Sequence, residues 1–106
     1  MSVSTHVLDA VRGRPAAGVP VRLERRDGTG WQPFAERVTD ADGRVADLAP
    51  DSPAGVYRLA LDTEAYLGPD TFYPEVVVTF RVVDARAHHH VPVLLSAYSY
   101  TTYRGS

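Results

Sequence analysis

Apolar and polar residues alternate along this chain in short β-branched runs, and Gly, Pro and Asp break the runs at close intervals. Residues 3–8 form the first predicted strand. Residues 19–24 (Val19-Pro20-Val21-Arg22-Leu23-Glu24) repeat with a period of two, as a half-buried strand does. Pro20 suits a strand start or an edge, because proline donates nothing to a ladder. The Asp27-Gly28 turn leads to a returning strand over 31–38, and the Asp42-Gly43 turn ends at Arg44. A strand over 56–61 precedes the one predicted helix, 62–67, with Asp62 or Thr63 as its cap and Gly68-Pro69 as its stop. Over 74–83, Val76, Val78, Phe80 and Val82 share one face and Val77 and Thr79 the other, so both faces are expected to be at least partly covered. Strands over 88–96 and 98–103 flank Ala97. The pattern predicts a two-sheet β-sandwich of about eight strands with one short helix.

A length of 106 residues implies one domain, 1–106, small enough that oligomerisation is expected. With 44% hydrophobic and 23% charged residues, the composition is that of a globular chain and excludes general disorder. Net charge is -2 with no basic block, which argues against a nucleic-acid partner. No apolar run approaches the roughly 20 residues of a membrane helix. Cysteine is absent, so thiol catalysis, thiolate metal sites and disulfides are excluded. With no signal-like start over residues 1–6, a cytoplasmic location is expected.

Three regions place polar groups on strands. His6 shares a face with Ser4 and Leu8, Arg44 leaves the Asp-Gly turn, and His88-His89-His90 precedes a tyrosine-rich terminus. His88 and His90 project from one strand face and His89 from the other. A His-x-His pair with His6 has the elements of a zinc site, although no Asp, Glu or Cys motif accompanies it. Taken singly, each feature has a plainer reading: exposed strand histidines, a solvated turn arginine, and tyrosines used for packing.

Together the blocks carry a resemblance. Ser4-Thr5-His6-Val7-Leu8-Asp9 with Gly13-Arg14-Pro15-Ala16, Thr39-Asp40-Ala41-Asp42-Gly43-Arg44, Phe72-Tyr73-Pro74-Glu75 and His88-His89-His90-Val91-Pro92-Val93-Leu94-Leu95-Ser96 occur in that order. The final block, Tyr98-Ser99-Tyr100-Thr101-Thr102-Tyr103-Arg104-Gly105-Ser106, is the most specific. In this the chain resembles the 5-hydroxyisourate hydrolases of the transthyretin-like family. The Tyr-Arg-Gly-Ser ending separates those enzymes from transthyretin, the hormone carrier.

The resemblance implies a transthyretin-like sandwich that hydrolyses 5-hydroxyisourate in urate catabolism. It implies catalytic His6, Arg44 and His90, and substrate contacts from Tyr103, Arg104 and Ser106. It implies a homotetramer, a dimer of dimers, with sites in the channel between dimers. No cofactor or metal is called for: a neutral histidine accepts a proton from water, Arg44 holds the oxyanion, and the Ser106 hydroxyl or terminal carboxylate assists. His89 stands where the family usually has tyrosine, and Ala97 where proline is frequent; neither change removes a chemical group from the proposed site. A carrier or adhesion module, a zinc hydrolase on His88 and His90, and a purely structural domain are the competing readings. The carrier or adhesion module gives no reason for the joint presence of His6, Arg44, His90 and the tail, and activity surviving a chelator would discard the zinc reading.

Overall fold

The computed structural model describes residues 3–49 and 53–106. Nine strands and one helix lie among them: β1 (Val3–Asp9), β2 (Arg14–Pro15), β3 (Pro20–Asp27), β4 (Gly30–Val38), β5 (Arg44–Val45), β6 (Gly55–Leu61), α1 (Thr63–Leu67), β7 (Val76–Val82), β8 (His89–Leu95) and β9 (Tyr100–Thr102). One sheet has the order β2-β1-β8-β9, with β5 also paired to β1; the other has the order β4-β3-β6-β7. All pairings are antiparallel except β1 with β8.

The period-two residues meet between the sheets. Val3, Val7, Val91, Val93 and Leu95 pack against Val21, Leu23, Tyr57, Leu59, Leu61, Val76 and Val82. Each fully buried aliphatic side chain contributes about 1.5–3 kcal/mol of burial free energy. Pro20 opens β3, an interior strand, so its missing N–H falls at the end of the ladder. The helix is capped as expected: the Asp62 carboxylate accepts from the Ala65 N–H at 3.0 Å, and Gly68 ends it at φ 100°.

Three features depart from the sequence pattern. The strands β2 and β5 have two residues each, too few to carry a periodic signal. The terminal strand contracts from 98–103 to Tyr100–Thr102, because Ser96 and Ser99 close a side-chain-bonded turn around Ala97. The expectation that both faces of β7 are covered does not hold within this chain. Val78 and Phe80 pack against the core, while Val77, Thr79 and Arg81 are exposed on the opposite face.

One polar anchor ties the layers together. Asp9, buried at the end of β1, accepts from the backbone N–H groups of Val11 and Arg12, the Arg12 guanidinium and the Tyr66 hydroxyl of α1. Burial pushes its pKa up, but those hydrogen bonds and the Arg12 charge outweigh burial and hold it below the ordinary carboxylate value. A lowered folded pKa means stability present above the unfolded value of about 3.9 and lost as pH falls through the folded one. Asp9→Ala removes the buried carboxylate that four donors share and is expected to lower unfolding free energy by about 2–3 kcal/mol in urea melts. An unchanged midpoint would show that the anchor contributes nothing.

Candidate active site

The site stands on the outer face of the β1–β8 sheet, away from the core. Pairing of β1 with β8 sets Val3 beside His89, Ser4 beside His90 and His6 beside Pro92. Because side chains alternate, Val3, Thr5 and Val7 enter the core while Ser4 and His6 face outward. On β8, His89 is buried and its Nδ1–H points to the Ala87 carbonyl at 3.2 Å, whereas His88 and His90 turn to Ser4. The sequence expectation of opposed histidine faces is met. Strand rise and spacing put the Cα atoms of His6 and His90 about 8 Å apart.

Arg44 arrives through a short third strand. Asp40 organises the turn: its Oδ1 accepts from the N–H groups of Asp42 and Arg44, both at 2.9 Å. Gly43 sits at φ 74°, and a β-carbon there would overlap the Val7 carbonyl. The position therefore requires glycine for both backbone angle and space. This close approach lets the Val7 N–H donate to the Gly43 carbonyl at 2.7 Å and pairs Arg44 with His6 across β5 and β1. The turn also fixes the ring of His6, whose Nε2 lies 2.9 Å from the Asp42 carbonyl. A carbonyl only accepts, so Nε2 carries the hydrogen and Nδ1 is the acceptor nitrogen of the neutral ring.

The tail closes the opposite side. The Gly105 N–H donates to the His90 carbonyl at 2.8 Å, an isolated bridge that lays residue 105 over the His90 ring. A β-carbon on Gly105 would overlap His90 Cδ2. Glycine in the Tyr-Arg-Gly-Ser ending thus follows from contact with the histidine. Tyr103, Gly105 and Ser106 join Ser4, His6, Arg44, His88 and His90 around an open cleft of about 550 Å³.

Of the six site residues expected from sequence, five line this cleft. Arg104 does not: it lines a second hollow of about 350 Å³ with Phe80, Arg81 and Val91, and Tyr103 and His90 line both. The block 72–75 also lies elsewhere, where Tyr73 meets Tyr100 edge-on at 5.3 Å and the Phe72 N–H donates to the Ala97 carbonyl. Sequence reasoning passed over Ser4, whose hydroxyl lies 2.8 Å from His88 Nε2 and 2.7 Å from His90 Nδ1. It weighed His88 only as a zinc ligand, and it passed over Gly105 as the spacer of the site. The period-two pattern did put Ser4 and His6 on one face, but cross-strand register alone puts Ser4 beside His90.

Among the described residues no Asp or Glu side chain lines the cleft, so none of them sets a side-chain carboxylate against the positive charge of Arg44 there. Burial lowers the pKa of His90, and the charges of Arg44, His88 and His6 lower it further, against an opposing hydrogen bond with Ser4. His90 is therefore a neutral base at pH 7, partly exposed and poised beside a fixed cation. Among the described residues, no group of three or more His, Cys, Asp or Glu side chains is arranged to hold a metal ion.

The depressed pKa has a definite sign. The unfolded chain takes up this proton first, so the folded state loses stability as pH falls below about 6.5, until His90 itself protonates. In an NMR titration, His90 is expected to titrate below the ordinary histidine value of about 6.5, and Arg44→Gln to move it upward. A His90 midpoint at or above the ordinary value would contradict this electrostatic arrangement.

Comparison with known proteins identifies the family of the chain. Residues 3–105 match the model of the HIUase/Transthyretin family. A 5-hydroxyisourate hydrolase of Salmonella dublin is 44% identical over 109 residues, covering 98% of this chain and 80% of that protein. The structure of Klebsiella pneumoniae 5-hydroxyisourate hydrolase superposes with a TM-score of 0.87 at 36% identity, covering all of both chains. Sea bream transthyretin in complex with thyroxine superposes with a TM-score of 0.90 at 34% identity, over 99% of this chain and 95% of that one. The chain belongs to the HIUase/transthyretin family.

Proposed function

We propose that this chain is a single-domain 5-hydroxyisourate hydrolase of urate breakdown. The family holds hydrolases and a thyroxine-binding carrier on one fold, so the choice rests on the site. The observation that carries it is the convergence of His6, Arg44 and His90 from three adjacent strands on one cleft, closed by Tyr103, Gly105 and Ser106. Similarity of 44% to an enzyme of that activity supports the same choice.

In this reading a water molecule attacks a lactam carbonyl of the substrate. Its oxygen bonds to carbon while one proton passes to His90, whose pKa burial lowers. Arg44 holds the developing oxyanion with its planar donor fork. Collapse breaks the C–N bond, the departing nitrogen takes up a proton, and a ureido-imidazoline carboxylate results. His6, anchored through Nε2, presents Nδ1 to the substrate and orients it. Tyr103 keeps the cleft shallow for a flat bicyclic ring, and Ser106 offers a hydroxyl at its rim. Arg104, beyond Tyr103, acts on the substrate through the position of that neighbour.

The reading calls for no cofactor, metal or nucleic acid, and for no membrane partner; no helix among the described residues is long and apolar enough to cross one. It places the chain in the cytoplasm, in keeping with a sequence free of cysteine. It also includes a homotetramer built as a dimer of dimers, supported by the exposed face of β7 and the exposed strand β9 at a sheet edge. Light scattering at micromolar concentration is expected to give four times the chain mass of 11.6 kDa. A monomer would remove the assembly from the reading.

The function itself is tested by generating 5-hydroxyisourate from urate and following its absorbance decay. Added protein is expected to accelerate decay, and His90→Ala, His6→Ala or Arg44→Ala to lower kcat/KM by about 10²–10⁴-fold. A chain ending at Thr102 is expected to fold and to lose activity. Decay at the spontaneous rate with the intact chain would refute the assignment.

A further inference from the structure

Ser4 holds a position that hydrolysis by His6, Arg44 and His90 leaves unused. Its hydroxyl lies 2.7 Å from His90 Nδ1 and 2.8 Å from His88 Nε2, and the two rings stack at 6.4 Å between centroids. Ser4 is buried, so these two nitrogens dominate its surroundings. A hydroxyl carries one hydrogen. If it donates to His88, His90 must donate to it through Nδ1–H, leaving His90 Nε2 bare as a base. If it donates to His90, His88 must donate through Nε2–H, and His90 carries its hydrogen on Nε2. The tautomers of the two histidines are thus tied to one another through Ser4.

We propose that Ser4 is a positioning residue that links His90 to His88 as a proton relay, with His88 as the solvent-facing end. The proposal rests on the hydrolase reading for its role in turnover. When His90 Nε2 accepts the proton from water, the Nδ1 proton passes to Ser4 Oγ while the Ser4 proton passes to His88 Nε2. No proton is gained or lost in this shift. Positive charge moves from a partly buried ring facing Arg44 and His6 to the exposed ring of His88. Water reaches that exposed ring and solvates the cation. The reverse shift accompanies delivery of the Nε2 proton to the departing nitrogen and restores the starting tautomers.

The test combines kinetics with ¹⁵N NMR of the imidazoles in the substrate-free protein. Ser4→Ala and His88→Ala are each expected to lower kcat by about tenfold with little change in KM, and the double variant to lose no more than either single one, as members of one unit do. In the intact protein His90 is expected to be protonated at Nδ1 and bare at Nε2, with His88 Nε2 bare. Ser4→Ala should turn His90 into a tautomer mixture. Multiplying losses in the double variant, undiminished kcat in Ser4→Ala, or unchanged His90 tautomers after that substitution would each overturn the relay. If the intact chain fails to hydrolyse 5-hydroxyisourate, the function falls, and the NMR comparison alone decides whether the tautomers are coupled.

Discussion

The parallel pairing of β1 with β8 is the constraint on which the rest depends. Seven residue pairs, from Val3 with His89 to Asp9 with Leu95, set the register, and the buried Thr5 hydroxyl reinforces it by donating to the Val91 carbonyl at 2.7 Å. A one-residue slip would send Ser4 and His6 into the core and expose Val3, Thr5 and Val7. The core therefore locks the site: the burial that forbids the slip also holds Ser4 against His90 and His6 within reach of both.

From that pairing the site grows outward by backbone contacts. The Asp-Gly turn presses on β1 through Gly43, which brings Arg44 to His6 and gives the His6 ring a carbonyl to bond. The tail presses on β8 through Gly105, which lays the chain over His90. Each approach removes a β-carbon where two backbones or a backbone and a ring must touch. The side chains that line the cleft can rotate, but the segments bearing them are fixed by sheet bonds, and so the cleft is preorganised.

The electrostatics follow from the same placement. The Arg44 guanidinium beside three histidines, with no acidic side chain among the described residues of the lining, offers a cation to an anionic ligand and keeps His90 neutral. An acidic, carbonyl-rich ring fits that field, and the same field penalises a proton left on His90. This tension gives Ser4 and His88 their significance. The sandwich itself is indifferent to it, since a thyroxine-binding transthyretin superposes on the chain as well as a hydrolase does.

The amino-acid sequence by itself determined the class of fold and the faces its strands present. Period-two burial specified the core strands, Asp62 and Gly68 bounded the helix, and side-chain alternation put His88 and His90 on one face and His89 on the other. Those properties are local, because a strand's faces follow from its own sequence. The tertiary structure decided what meets across strands. Two-residue β5, the pairing of Arg44 with His6, the bond from Ser4 to both histidines and the turn of Arg104 away from the cleft all depend on register between segments 36 to 86 residues apart or on the path of a short tail. A segment's own pattern carries no record of its partner's register; only the joint packing of both sheets selects it.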